Sequence, residues 1–309
     1  MHSYKSQANN ISCMRLYHSL CSVFLAVSLF LFALLNFQSC SSRSLTVPAV
    51  ADPPTNVYLP GKFVWHDLMT KDVPAVKKFY GDLFGWRFAG PDDPRAKYTT
   101  ILFNDRPIGG IVYVAELEDG GNPSQWMSYL SVEDVDQAVE IFRKTGGKIL
   151  REAWDQPDRG RMAILQDPYG ALIALVRSDV GDPPDADPVN YGWLWHEYLT
   201  TDLSAARPFY ESLSGYETES MPVREGYLYY VLKKADKPRA GIAQVPWEDL
   251  KPNWLVYVLV EEVQPVVDRI KSLDGEILIE PNPELRKGSV ALVSDPSGGV
   301  FAVQKWPFE

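Results

Sequence analysis

Beyond residue 40 the chain contains no cysteine; Cys13, Cys21 and Cys40 all fall in the first forty residues. A disulfide, a thiolate nucleophile and a thiolate metal ligand are therefore excluded from the remainder. Histidine is almost as scarce there, limited to His66 and His196. No block of Lys and Arg occurs and the formal charge is -10, which excludes nucleic acid as a partner, because phosphate binding needs a concentrated basic face. Long apolar runs are lacking too. Val23–Leu35 is too short to cross a bilayer core of ~30 Å as a helix and has the length of a signal-peptide core.

What is present is globular in composition, 46% hydrophobic and 12% aromatic over 309 residues, enough for two domains. Residues 1–22 hold Lys5 and Arg15 but no acid, the apolar run follows, and Ser39-Cys40 ends it. This order resembles a bacterial lipoprotein signal over residues 1–40. It implies lipidation at Cys40 and a lipid anchor in the cell envelope, on the outer membrane or its periplasmic face. Residues 41–60, rich in Ser, Pro and Thr, read as a tether.

A repeat organises the rest. Phe63-Val-Trp-His-Asp-Leu-Met-Thr-Lys-Asp72 returns as Trp193-Leu-Trp-His-Glu-Tyr-Leu-Thr-Thr-Asp202, Phe79-Tyr80 as Phe209-Tyr210, and Gly85-Trp86 as Gly215-Tyr216. Further on, Trp126 answers Trp254, and Asp167-Pro-Tyr-Gly170 answers Asp295-Pro-Ser-Gly298. Residues 61–177 and 191–306 are thus two domains, joined by a Pro- and Asp-rich linker over 178–190. Within each domain the order also halves. A strand (Phe63–Thr70) precedes a helix carrying Val73, Val76, Phe79 and Tyr80, with Asp72 to cap it and Gly85 to end it. Three short strands follow, and from Trp126 the same order repeats. The expected class is α+β, a βαβββ module four times over.

The Trp-His-Asp/Glu opening, the Phe-Tyr and Gly-Trp/Tyr pairs, the Val-Glu-Asp/Glu-Val turn and the Asp-Pro-x-Gly closing resemble the vicinal oxygen chelate superfamily, which includes glyoxalases, bleomycin-resistance proteins and dioxygenases. The resemblance implies that paired modules curl into a half-barrel whose concave face holds the ligand. It also implies a divalent metal held by His, Glu or Gln. One ligand position lies seven residues before the capping Asp, at Trp65 and Trp195. A second lies on the fifth strand at Met127 and Leu255, and a third on the last strand at Ala174 and Ala302. None of these side chains ligates a hard cation. The expectation is therefore no metal site and no cofactor, with a divalent metal as the alternative.

Strand alternation places His66 and His196 on the opposite face from Trp65 and Trp195, as packed histidines. The same alternation brings Asp67, Glu197, Tyr129 and Tyr257 to the cleft side. Each expected cleft then offers an indole, a carboxylate and a phenol (Trp65, Asp67 and Tyr129; Trp195, Glu197 and Tyr257), suited to a small, partly aromatic or cationic molecule. Three functions fit: an envelope-anchored small-molecule binder without the family metal, a lyase, isomerase or dioxygenase with a non-standard site, and an interaction module with filled clefts. Apart from a small molecule and a membrane, the sequence names no partner and no oligomeric state.

Overall fold

The computed structural model of the protein describes residues 46–115, 121–224, 227–244 and 251–307. The signal and Cys40 lie outside the described residues. Among those described, no helix is long and apolar enough to cross a membrane.

The first copy opens with β1 (Phe63–Thr70), and Asp72 then accepts a 3.0 Å hydrogen bond from the Ala75 amide to start α1 (Val73–Phe84). Gly85, at φ 70°, ends that helix in the left-handed conformation that glycine adopts at least cost. β2 (Arg87–Ala89), β3 (Tyr98–Phe103) and β4 (Arg106–Tyr113) complete the module. β5 (Gln125–Ser131), α2 (Val135–Lys144), β6 (Lys148–Gln156), β7 (Gly160–Gln166) and β8 (Leu172–Ser178) repeat it.

The second copy runs in the same order through β9 (Trp193–Thr200), α3 (Leu203–Ser214), β10 (Glu217–Arg224), β11 (Tyr227–Lys234) and β12 (Lys237–Gln244). It ends with β13 (Asn253–Leu259), α4 (Val263–Ser272), β14 (Glu276–Ile279), a 3₁₀ turn at Arg286–Gly288, β15 (Val290–Ser294) and β16 (Val300–Gln304).

Each copy forms one mixed eight-stranded sheet, ordered β2-β3-β4-β1-β5-β8-β7-β6 and β10-β11-β12-β9-β13-β16-β15-β14. β1 and β5 pair antiparallel at the centre, with β4 and β8 running parallel to them outside. The second sheet repeats the pattern with β9 and β13. The fold is α+β, two tandem domains of two βαβββ modules each, as the sequence repeat predicts.

The helices cover one face of each sheet, and there the copies interlock. One core joins α2 of the first copy (Val135, Val139, Phe142) to α3 of the second (Ala206, Phe209, Tyr210). The other joins α1 (Val76, Phe79, Tyr80) to α4 (Val263, Val267, Ile270). Burying apolar helix faces against the other copy stabilises both together. His66 and His196 meet here with ring centroids 4.8 Å apart, on the face that alternation predicts.

One expectation from composition needs correction. Residues 46–60 are not free tether: Val47, Val50 and Ala51 are buried. Thr55 and Asn56 donate backbone hydrogen bonds of 2.9 Å to Val180, and Leu59 N–H donates one of 2.7 Å to Asp182 Oδ2. Ser, Pro and Thr imply flexibility only where the backbone finds no partner, and here the linker supplies one.

Candidate binding clefts

The faces turned away from the helices are lined by smaller apolar clusters, and each encloses one acid. In the first cleft Trp65, Met127, Tyr129, Met162, Ala174 and Val176 surround Asp67. Trp65 Nε1 and Tyr98 Oη each donate 2.9 Å to Asp67 Oδ1, and Tyr129 Oη donates 2.6 Å to Oδ2. Tyr98 fits because residue 110, opposite Asp67 in the ladder, is glycine. A Cβ on Gly110 would sit 2.2 Å from Tyr98 Oη and 2.5 Å from Asp67 Oδ1. Arg159 stacks over the Trp65 ring at 4.1 Å and donates 3.3 Å to Tyr98 Oη. Burial, then the Asp67 charge, pushes the Tyr129 and Tyr98 phenols well above their usual range. Both therefore stay hydrogen-bond donors across physiological pH.

The second cleft repeats the constellation with one change of hand. Glu197, a methylene longer than its counterpart, reaches the Arg286 guanidinium directly and forms an ion pair with it. Arg286 also donates 2.7 Å to Gln304 Oε1, and it lies over the Tyr257 and Tyr229 rings at 5.3 and 5.7 Å. Trp195 Nε1 donates 2.9 Å to Tyr229 Oη. Leu199, Leu255, Tyr257, Val290 and Ala302 form the floor. Arg286 and Lys287 adopt φ of 48° and 56°, conformations that cost non-glycine residues energy and gather at functional sites.

Trp65, Asp67 and Tyr129 thus come together, as do Trp195, Glu197 and Tyr257. Sequence reasoning missed Tyr98, Tyr229, Arg159 and Arg286. The tyrosines could have been found, since Tyr98 to Tyr229 and Gly110 to Gly241 share one spacing. The arginines stand in turns, where strand alternation gives no direction.

The implied metal can be tested against these residues. Trp65, Met127 and Ala174 share one apolar cluster and offer no oxygen or nitrogen ligand. Asp67 has both oxygens occupied by donors, and Glu197 is paired with a guanidinium. Among the described residues no three His, Cys, Asp or Glu side chains converge. This donor set does not fit a divalent cation held in the manner the family implies.

Residues 62–175 match the Glyoxalase/Bleomycin resistance protein/Dioxygenase superfamily. A Mycobacterium bovis protein bearing the name glyoxylase CFP32 is 31% identical over 255 residues, 82% of this chain and 98% of that protein. The chain belongs to the glyoxalase/bleomycin resistance protein/dioxygenase superfamily. A second relative, the anthracycline biosynthesis protein DnrV of Streptomyces peucetius, is 29% identical over 80% of this chain and 94% of its own length. Among solved structures, the Mn(II)-bound glyoxalase of Novosphingobium aromaticivorans superposes with a TM-score of 0.56 at 16% identity, covering 81% of this chain and 83% of that one. Homoprotocatechuate 2,3-dioxygenase of Brevibacterium fuscum gives 0.55 at 13% identity, over 84% and 74%. At such identities the superfamily likeness speaks for fold alone.

Proposed function

We propose that this superfamily member binds a small organic molecule in its second cleft without the family metal, held in the cell envelope by a lipid on Cys40. The observation that carries the reading is the pairing of Glu197 with Arg286 on an aromatic and aliphatic floor. A concave apolar surface with a few directed polar groups is what small-molecule recognition needs. The guanidinium moves the ligand class away from cations, toward an aromatic or aliphatic body bearing a carbonyl or carboxylate. The name of DnrV, a protein of anthracycline biosynthesis, accords with an aromatic carbonyl compound.

Thermal melting of the mature protein with a panel of aromatic carbonyl compounds and carboxylates, in EDTA, tests this. Ligand at a hundred times its Kd adds about 2.7 kcal/mol to stability. A hit whose shift is lost in Glu197→Gln supports the reading, and a panel without hits opposes it. A compound that acts only after Mn, Fe, Ni or Zn is added would favour the enzymatic alternative, a metal-dependent lyase, isomerase or dioxygenase.

A further inference from the structure

The two clefts carry the same kinds of side chain, yet among the described residues a segment preceding the first strand of its copy enters only the first. In the first, Val50 is 3% exposed and packs among Trp65, Met127, Tyr129 and Met162. Arg159 Nε donates 2.7 Å to the carbonyl of Pro48. Residues Val47–Ala51 therefore lie on the concave face in a ligand's place, with the Pro48 carbonyl oxygen on the Arg159 guanidinium and the Val50 side chain on the floor.

In the second cleft no segment of the described residues meets the same donors in this way. Arg286 gives one terminal nitrogen to Glu197 and the other to Gln304, and its Nε–H meets no acceptor among the described residues. Tyr229 Oη accepts from Trp195 but, unlike Tyr98, has no described carboxylate to donate to. Trp195 and Tyr229 are half-buried where Trp65 and Tyr98 are buried. No described residue ahead of β9 joins the floor of Leu199, Leu255, Tyr257, Val290 and Ala302.

We propose that Val47–Ala51 is the first cleft's own occupant, and that the second cleft takes an external ligand of the same chemistry. That ligand places a carbonyl oxygen on Arg286 Nε–H and Tyr229 O–H, with a small branched aliphatic group about two residues' length away. The inference rests on the proposed binding function and names its ligand class.

The probe is the capped hexapeptide acetyl-Thr-Val-Pro-Ala-Val-Ala-amide, the sequence of residues 46–51, titrated calorimetrically into the mature protein. One equivalent should bind. Arg286→Lys keeps a cation for Glu197 but removes the Nε–H in its present place, and should weaken binding at least tenfold. Ala243→Trp, which fills the second floor from β12, should do the same. Val50→Arg should expel the strap and raise the stoichiometry to two. Absence of binding to the unaltered protein, or equal affinity in Arg286→Lys and Ala243→Trp, would overturn the proposal for the second cleft. A stoichiometry still at one in a folded Val50→Arg protein, checked by its near-ultraviolet circular dichroism, would overturn the strap assignment. If panel compounds raise the melting temperature while the peptide does not bind, this inference fails and the proposed function stands.

Discussion

Tyr210 on α3 donates a 2.7 Å hydrogen bond to Asp167, which belongs to the other copy. The relationship is reciprocal, since Tyr80 on α1 donates 3.0 Å to Asp295. Trp254 and Trp126 in turn donate 2.9 and 3.1 Å to these two phenols. The Phe-Tyr and Asp-Pro-x-Gly motifs of the repeat are thus halves of two buried fastenings between the copies, not parts of a reaction site.

Removing one phenol oxygen leaves a buried carboxylate and a buried indole short of partners. Tyr210→Phe and Tyr80→Phe should therefore each cost about 1–3 kcal/mol in denaturant unfolding. Both copies should still unfold in one transition, because each core contains a half of each. A loss below about 0.5 kcal/mol for both variants, within the range of ordinary surface substitutions, would remove the fastening from the account.

The stacked histidines should make the protein acid-labile. Burial lowers His196 to about 3 and holds His66 well below its ordinary 6.5, where the facing His196 ring adds a smaller push. Unfolded, each ring takes a proton near pH 6.5; folded, each stays neutral. The stability they contribute is complete above that pH and drains as pH falls, by up to about 1.4 kcal/mol per unit for each ring. His196→Phe should flatten the fall in unfolding free energy between pH 7 and 4.5. Equal slopes in the two proteins would contradict this, since the carboxylates are common to both.

Glycine substitutions should separate the clefts. An added Cβ would lie 2.2 Å from Tyr98 Oη at Gly110 and 1.8 Å from Tyr229 Oη at Gly241. Tyr98 is enclosed and cannot retreat, so Gly110→Ala should cost about 1–3 kcal/mol. Tyr229 is half-buried and can swing outward. Gly241→Ala should then cost less while changing tryptophan emission, because the Trp195 hydrogen bond is lost. A larger stability loss at Gly241 would reverse the assignment of closed and open clefts.

The fold was readable because the repeat shows its own punctuation. Asp72 and Asp202 cap helices, Gly85 and Gly215 end them, and Trp65 and Asp67 share one face of β1 as alternation predicts. Two kinds of information were not local. Arg159 reaches Trp65 and Tyr98, and Arg286 reaches Glu197, from turns, so no periodicity points at them. Val50 is buried in a segment followed by backbone hydrogen bonds from Thr55 and Asn56 to the distant Val180 carbonyl, which the composition of a Ser- and Pro-rich segment does not reveal.

Anchoring has its own test. Cys40→Ser should abolish incorporation of a labelled fatty acid and leave an unprocessed or soluble protein on membrane fractionation, because the acyl chain needs that sulfur. Unchanged labelling would remove the lipid from the proposal.

The central claim, an external ligand in the second cleft without a metal, is tested most directly by titrating a panel hit into metal-stripped protein and following tryptophan emission. The account predicts saturable binding in EDTA at one equivalent, weakened at least tenfold by Ala243→Trp and lost as a fluorescence signal in Trp195→Phe. Binding that appears only on adding a stoichiometric divalent metal, or that survives Ala243→Trp unchanged, would contradict it.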